Sequence, residues 1–385
     1  MTAPHVIVIG AGSTGAATAH DLALRGLRVT VLERGEVANC TTGRNHCLLH
    51  SGGRYCVKDQ ESAVECIDEN LLLRRLMPEA LELNDGLFVA LTEDDLAFKE
   101  QFVEGCERCH IPYREIPAQR ALELEPFLNP NVLAAVQVPD GVFEPFRFCL
   151  AFLATAKKNG AVVRTYTEVT DLLRSGQSVT GVTIRDHRTG QTETLGADIV
   201  VNATGPWAGE IARLGGVEVP VSPTAGVMVT VGKRLTNRVI NRLNKPSDGD
   251  IVVPQRMTSI IGTTSWTILD PDQIEIPKDH VEKMIQKGRE LIPAIQHTAV
   301  RGVGAAARPL IRKAGADERE VSRTFECFDH KRDGVEGFVT ISGGKTTTAR
   351  AMAEKVTDMV CAKLGVPAEC RTRETPLVSY RLFYM

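Results

Sequence analysis

A chain of 385 residues, 43% hydrophobic and 24% charged, has an ordinary globular composition and is long enough for two domains, each with its own core. Its 45 Lys and Arg against 48 Asp and Glu give a formal net charge of -3, which excludes a global attraction to nucleic acid or to an anionic membrane. No Lys or Arg precedes the first apolar run, no stretch reaches the roughly 18 to 20 apolar residues of a membrane span, and ten cysteines without a secretory signal read as reduced thiols. The expected location is the cytoplasm, or a peripheral place at the inner face of the membrane.

Residues 5 to 9 are apolar and β-branched, as in a strand buried on both faces of a parallel sheet. A glycine turn follows, then a helix over residues 14 to 25 with Ala16, Ala19, Leu22 and Ala23 set against the sheet, ended by Gly26. Residues 27 to 32 return as a second strand and complete a βαβ unit. Gly10, Gly12 and Gly15 are spaced G-x-G-x-x-G, and Glu33 closes the second strand, which together form a dinucleotide fingerprint. Gly10 permits the tight turn, Gly12 lets the backbone approach a pyrophosphate, and Gly15 lets helix and strand pack closely. The helix N-terminus adds amide donors and partial positive charge, while Glu33 suits the ribose hydroxyls. The fingerprint alone does not separate FAD from NAD, because both carry the same ADP half.

Residues 41 to 55 are rich in small residues, histidines and arginines and lack a core pattern, so this stretch can lie against a ligand. Cys106, Cys109 and His110 form the one close cysteine pair, and without a second such pair they read as buried thiols on a helix; no metal is expected. Strands are expected over residues 161 to 165, 198 to 202 and 337 to 342, as scattered pieces of the parallel sheet. Those over 226 to 231 and 259 to 264 suggest an antiparallel sheet in a second domain. After the last parallel strand, Gly343, Gly344 and Lys345 open a helix over residues 348 to 363. A phosphate-binding P-loop would need glycine where Val339 stands. A helix N-terminus with Lys345 fits a different use, stabilising the negative charge that develops along the N1–C2=O edge of a reduced isoalloxazine. The tail, residues 380 to 385, is apolar enough to dock on a surface, a partner's or the protein's own.

On these residues the chain resembles the D-amino-acid-oxidase-like flavoproteins, and among them the FAD-dependent glycerol-3-phosphate dehydrogenases of the anaerobic A-subunit type. The likeness rests on Gly10 to Gly15, on the stretch from Thr42 through His50 and Arg54 to Tyr55, and on Asn202 to Trp207. It continues through residues 245 to 248, 261 to 265, 308 to 310 and 321 to 323 to Gly343, Gly344 and Lys345, in the family's order across nearly the whole chain. It implies an α/β fold in which a Rossmann-like FAD-binding domain, discontinuous in sequence (1–85, 145–215, 331–375), carries a second, substrate domain built on an antiparallel sheet (86–144, 216–330), with a tail at 376–385. FAD is the implied cofactor. Its expected contacts are Gly10, Gly12, Ser13, Thr14, Gly15, Glu33 and Arg34; Thr42, Arg44, Asn45, His46, Leu48 and Leu49; Val169; Ala203, Thr204, Gly205 and Trp207; and Gly343, Gly344, Lys345, Thr346 and Thr347.

The resemblance also implies a reaction, removal of hydride from C2 of sn-glycerol 3-phosphate to flavin N5, giving dihydroxyacetone phosphate. Arg54, Arg308 and Arg323 would grip the phosphate with Tyr55 and Lys345, since a planar guanidinium binds phosphate oxygens in pairs and stays charged. His50 is the candidate base, with Arg54 and Arg308 beside the reacting centre; the alternative for His50 is a hydrogen bond to the flavin. Electrons are expected to leave to a quinone or a partner subunit. Three departures stand out: Ala306 and Ala307 before Arg308, Thr346 and Ala349 in place of the family's Leu and Tyr, and no cysteine-rich C-terminal domain within these residues. Two other readings stay open. The arginines would bind the carboxylate of a 2-hydroxy acid or another polyol phosphate, and the altered segments would also suit a non-catalytic flavoprotein subunit.

Overall fold

The structure, a computed structural model, describes residues 3 to 311 and 324 to 385. A six-stranded sheet takes its strands from three distant stretches of chain, in the order Phe325–Asp329, Phe338–Gly343, Ile199–Asn202, His5–Ile9, Arg28–Leu32 and Val162–Arg164. All neighbours are parallel except the edge strand Phe325–Asp329. The first strand explains why such a run has no polar face. Val6 and Val8 pack with the helices Ser13–Leu24, Pro145–Lys158 and Ala349–Leu364, while Ile7 and Ile9 on the opposite face join a separate cluster with Val182, Ile184 and Phe338. The first helix packs on both other helices, and its small residues Ala16 and Ala19 are fully buried in the core they share.

That second cluster is roofed by an antiparallel meander of three strands, Thr167–Ser175, Ser178–Asp186 and Thr192–Gly196. The sequence reading does not include this meander. Its exposed residues are mostly polar, while Val169, Leu172, Val179, Val182 and Ile184 are buried in the core and Leu195 packs against it.

The nine-stranded sheet draws its strands from Gly86 to Val138 and from Val221 to Ile311. Its longest pairing joins Val221–Val231 to Val300–Ile311, antiparallel from Val221↔Ile311 to Val231↔Val300. One pair, Val239–Arg242 with Gly86–Ala90, is parallel. The helix Lys278–Leu291 covers one face, with Met284 and Leu291 buried against Val227, Val229 and Ile261.

The ten cysteines are free thiols. Cys106 lies on the helix Glu93–Arg108 and is buried with Cys109 and Cys56, whereas His110 is exposed. The tail ends in a 3-10 turn, Tyr380–Tyr384, against the helix Pro145–Lys158: Lys157 Nζ donates to the Phe383 carbonyl at 2.5 Å, and the Arg147 guanidinium lies 5.1 Å from the Tyr380 ring centre. Among the described residues no helix is long and apolar enough to cross a membrane.

Candidate active site

A cavity of about 1420 Å³ lies between the two large sheets. One part of its wall is the turn after the first strand. Gly10 has φ +104, and a Cβ there would sit 2.8 Å from the Ala203 carbonyl oxygen; a Cβ on Gly15 would lie 2.0 Å from the Gly10 oxygen. Gly10 and Gly15 are therefore closed to side chains on steric grounds. The helix it opens has no capping side chain and no acid in its first turn, and the Ser13 amide donates to Thr42 Oγ1 at 3.1 Å. An uncapped helix start on a cavity wall offers amide donors to an anion. Glu33 lines the same cavity, its two carboxylate oxygens accepting the Ala11 and Gly35 amides at 2.8 Å each.

A second wall is made where the stretch 46 to 55 meets the turn at 343 to 347. Gly343 (φ +87) and Gly344 (φ +68) bend the chain so that Lys345 begins a 3-10 turn leading into the helix Ala349–Leu364. The two segments are tied directly. The His50 amide donates to Thr347 Oγ1 at 3.1 Å, and Lys345 Nζ stands 4.9 Å from the Tyr55 ring centre. The rings of His46 and His50 are 5.8 Å apart, and those of His50 and Tyr55 5.3 Å. Burial, followed by the positive charges of Arg54 and Arg308, lowers the His46 pKa to about 3 and keeps that imidazole neutral at ordinary pH.

The third wall comes from the nine-stranded sheet. Arg308 on the strand Val300–Ile311 donates through Nη2 to Thr263 Oγ1 at 2.8 Å and to the Thr264 carbonyl at 3.2 Å. Arg54 reaches the same sheet, its Nη2 donating to Asp250 Oδ1 at 2.8 Å.

Most of the sequence-predicted residues line this one cavity: Gly10, Gly12, Ser13, Thr14, Glu33, Arg34, Thr42, Asn45, His46, Leu48, His50, Arg54, Tyr55, Val169, Ala203, Thr204, Gly205, Trp207, Arg308 and 343 to 347. Three expected contacts stand outside its lining. Gly15 faces the Gly10 carbonyl and serves packing. Leu49 is fully buried and pairs with Gly141. Arg44 is exposed and donates to the Asn39 carbonyl at 2.9 Å. Arg323 and the motif around it lie outside the described residues. Sequence reasoning missed Thr263 and Thr264 as part of the site, although the run of hydroxyl residues ending a strand was visible. It also missed Asp250, Asn241 and Asp272, polar residues with no local signature.

The FAD dependent oxidoreductase (DAO) family model matches residues 5 to 359. The A1 subunit of the anaerobic glycerol-3-phosphate dehydrogenase of Haloferax volcanii is 44% identical to 97% of this chain, which covers 66% of that protein. Its Escherichia coli K12 counterpart, the A subunit of the anaerobic enzyme, is 45% identical, again over 97% of this chain and 69% of its own length. The chain thus spans about two thirds of these relatives. In fold it is similar to the Bacillus halodurans glycerol-3-phosphate dehydrogenase solved with FAD, with a TM-score of 0.77 at 24% identity, covering 97% of this chain and 68% of that one. The family match takes in both large sheets and the cavity between them, and the chain belongs to the DAO family of FAD-dependent oxidoreductases.

Proposed function

We propose that this flavoprotein oxidises the secondary alcohol of sn-glycerol 3-phosphate to dihydroxyacetone phosphate. The observation that carries the reading is the meeting of Arg54, Arg308, Lys345, Tyr55 and His50 in the cavity that also holds the glycine turn and Glu33. The relatives named above, glycerol-3-phosphate dehydrogenases by name, support the choice of substrate.

The site fits FAD. The turn is tight at Gly10 and Gly15 and its helix start is uncapped, so Gly10, Gly12, Ser13 and Thr14 would take the pyrophosphate, Glu33 the ribose, and residues 203 to 205, 343 to 347 and the 42 to 48 stretch the remainder. When bound, FAD supplies a hydride acceptor. The residues of the chain do the rest. Arg54 and Arg308 grip the phosphate, so the substrate's C2–H has one orientation in the cavity. Lys345, held over Tyr55 at the start of a helix, supplies positive charge where negative charge accumulates. His50 accepts the C2 hydroxyl proton, and the neutral His46 beside it adds no opposing charge. In this reading residues 1–85, 145–215 and 331–375 serve the cofactor and 86–144 and 216–330 the substrate. Electrons then pass, at the inner face of the membrane, to a quinone or a partner subunit.

The test is anaerobic addition of glycerol 3-phosphate to the FAD-loaded protein. Bleaching of the flavin band near about 450 nm is expected. A band that stays oxidised with glycerol 3-phosphate but bleaches with a 2-hydroxy acid would move the assignment to a carboxylate substrate.

A further inference from the structure

Arg54 sits on a turn-rich stretch between the short strand Leu48–Leu49 and the helix Gln60–Leu76, so its own backbone gives the side chain little support. Its guanidinium is held by other elements. Nη2 donates to Asp250 Oδ1 at 2.8 Å and Nη1 to Asn241 Oδ1 at 3.3 Å. Both acceptors are fixed in turn: the Ser247 amide donates to the second Asp250 oxygen at 2.8 Å, and Asn241 Nδ2 donates to Asp140 Oδ2 at 3.2 Å. Asp140 completes the chain by accepting the Ser51 amide at 2.8 Å, three residues before Arg54 itself. Asp140, Asn241 and Asp250 are all buried, and none of the three lines the cavity that Arg54 enters. Asn241 belongs to the strand Val239–Arg242, and Asp250 directly precedes Ile251–Gln255, so the tether is rooted in the nine-stranded sheet.

We propose that Asp250, together with Asn241, is a positioning residue that fixes the fork of Arg54 for the anionic group of the substrate. Two of the three guanidinium nitrogens are claimed by the protein, which leaves the group one orientation in which to meet an anion. A flexible arginine would have to give up several rotamers on binding; this one has already done so. Asp250 has a second, opposing effect, because its negative charge offsets part of the attraction between Arg54 and a dianion. Orientation outweighs the offset in this proposal, and the two effects make different predictions for two variants. Asp250→Asn removes the charge and keeps an oxygen acceptor, whereas Asp250→Ala removes both.

The proposal rests on the reading of Arg54 as the arginine that grips the substrate anion. Its test is therefore made first without turnover, by measuring the dissociation constant of inorganic phosphate for the oxidised, FAD-loaded protein through perturbation of the flavin spectrum. Asp250→Ala is expected to weaken phosphate binding roughly 10- to 100-fold, the scale of a hydrogen bond to a charged group, and Asp250→Asn to regain most of that loss. In steady-state kinetics Asp250→Ala should raise KM for glycerol 3-phosphate by a similar factor with kcat within about fivefold, at unchanged FAD content. Unchanged phosphate affinity in both variants overturns the proposal, and so does tighter binding in both, which would leave Asp250 only the electrostatic part of opposing the anion. Asn241→Ala, which removes one tether only, covers the case in which Asp250→Ala does not fold: it must weaken phosphate binding several-fold, and wild-type affinity refutes the positioning role. Failure of the substrate assignment looks different, because the flavin of the wild-type protein then stays oxidised with glycerol 3-phosphate while the phosphate result for the variants stands.

Discussion

At Gly15 and Gly10 the chain approaches itself so closely that a single methyl group decides whether the turn proposed to hold the cofactor can exist. The added Cβ of Gly15→Ala would overlap the Gly10 oxygen at 2.0 Å, and that oxygen belongs to backbone packed against Ala203, so neither partner can retreat cheaply. Overpacking of this kind costs about 1–3 kcal/mol, which corresponds to roughly 5- to 150-fold in FAD affinity if the strain falls on the turn. Gly15→Ala is thus expected to be purified with a reduced ratio of flavin to protein absorbance, and full FAD occupancy after extensive dialysis would refute the steric account. These glycines were legible in the sequence because their spacing is a local pattern with a mechanical cause. Asp250 and Asn241 were not: one is a polar residue just before a strand and the other a polar residue within one, and only pairing across the sheet brings them to Arg54, roughly two hundred positions away in the chain.

Among the elements, the helix Ser13–Leu24 carries a liability that its proposed cofactor role does not require. His20 is fully buried in its middle, 5.7 Å from the Phe152 ring centre, and neither ring nitrogen has a hydrogen-bond partner among the described residues. Burial lowers its pKa from 6.5 to about 4. The unfolded chain takes up a proton near pH 6.5 and the folded chain only near 4, so stability is intact above about pH 6.5 and is lost as the pH falls towards 4. The full loss is on the order of 3 kcal/mol, about 2 of it present by pH 5. In urea unfolding of His20→Leu, the stability difference between pH 7.5 and pH 5 should shrink by about 2 kcal/mol relative to wild type; an unchanged difference would place the acid sensitivity elsewhere. The helix itself was readable from its small residues, and so were the buried parallel strands, because a two-sided apolar run has few other uses. The meander Thr167–Gly196 escaped because its strands are half exposed and alternate irregularly, with bulges between Val169 and Asp171 and between Leu173 and Arg174.

Across the whole molecule, the two large sheets meet at the cavity, and one exposed cluster ties them together there. Arg34 follows the strand Arg28–Leu32 and Trp207 follows Ile199–Asn202, both of the six-stranded sheet, and both line the cavity. Asp272 lies on the segment beyond Trp266–Thr267 of the other sheet. It accepts from Arg34 Nη1 and Nη2 at 3.2 and 2.5 Å and from Trp207 Nε1 at 3.0 Å, while the Arg34 guanidinium stacks 4.3 Å from the Trp207 ring centre. Partial burial raises the Asp272 pKa, but the hydrogen bonds from Arg34 and Trp207 outweigh it, and the carboxyl is held below its usual range. Because Arg34 and Trp207 stand in the same wall as Glu33, this clasp should restrain release of the adenosine end of FAD without touching Arg54 and Arg308. Both charges are substantially exposed, with side chains 37% and 49% accessible, so solvent and salt screen them and the effect must be modest. Asp272→Ala is expected to speed FAD dissociation about two- to fivefold at low salt, read as the return of free flavin fluorescence on dilution. Raising the salt should speed release from the wild-type protein towards the rate of the variant and leave the variant nearly unaffected. Equal rates at low salt would mean that the cofactor is kept by the glycine turn and the 343 to 347 segment alone, and that Asp272 joins the two sheets without guarding what lies between them.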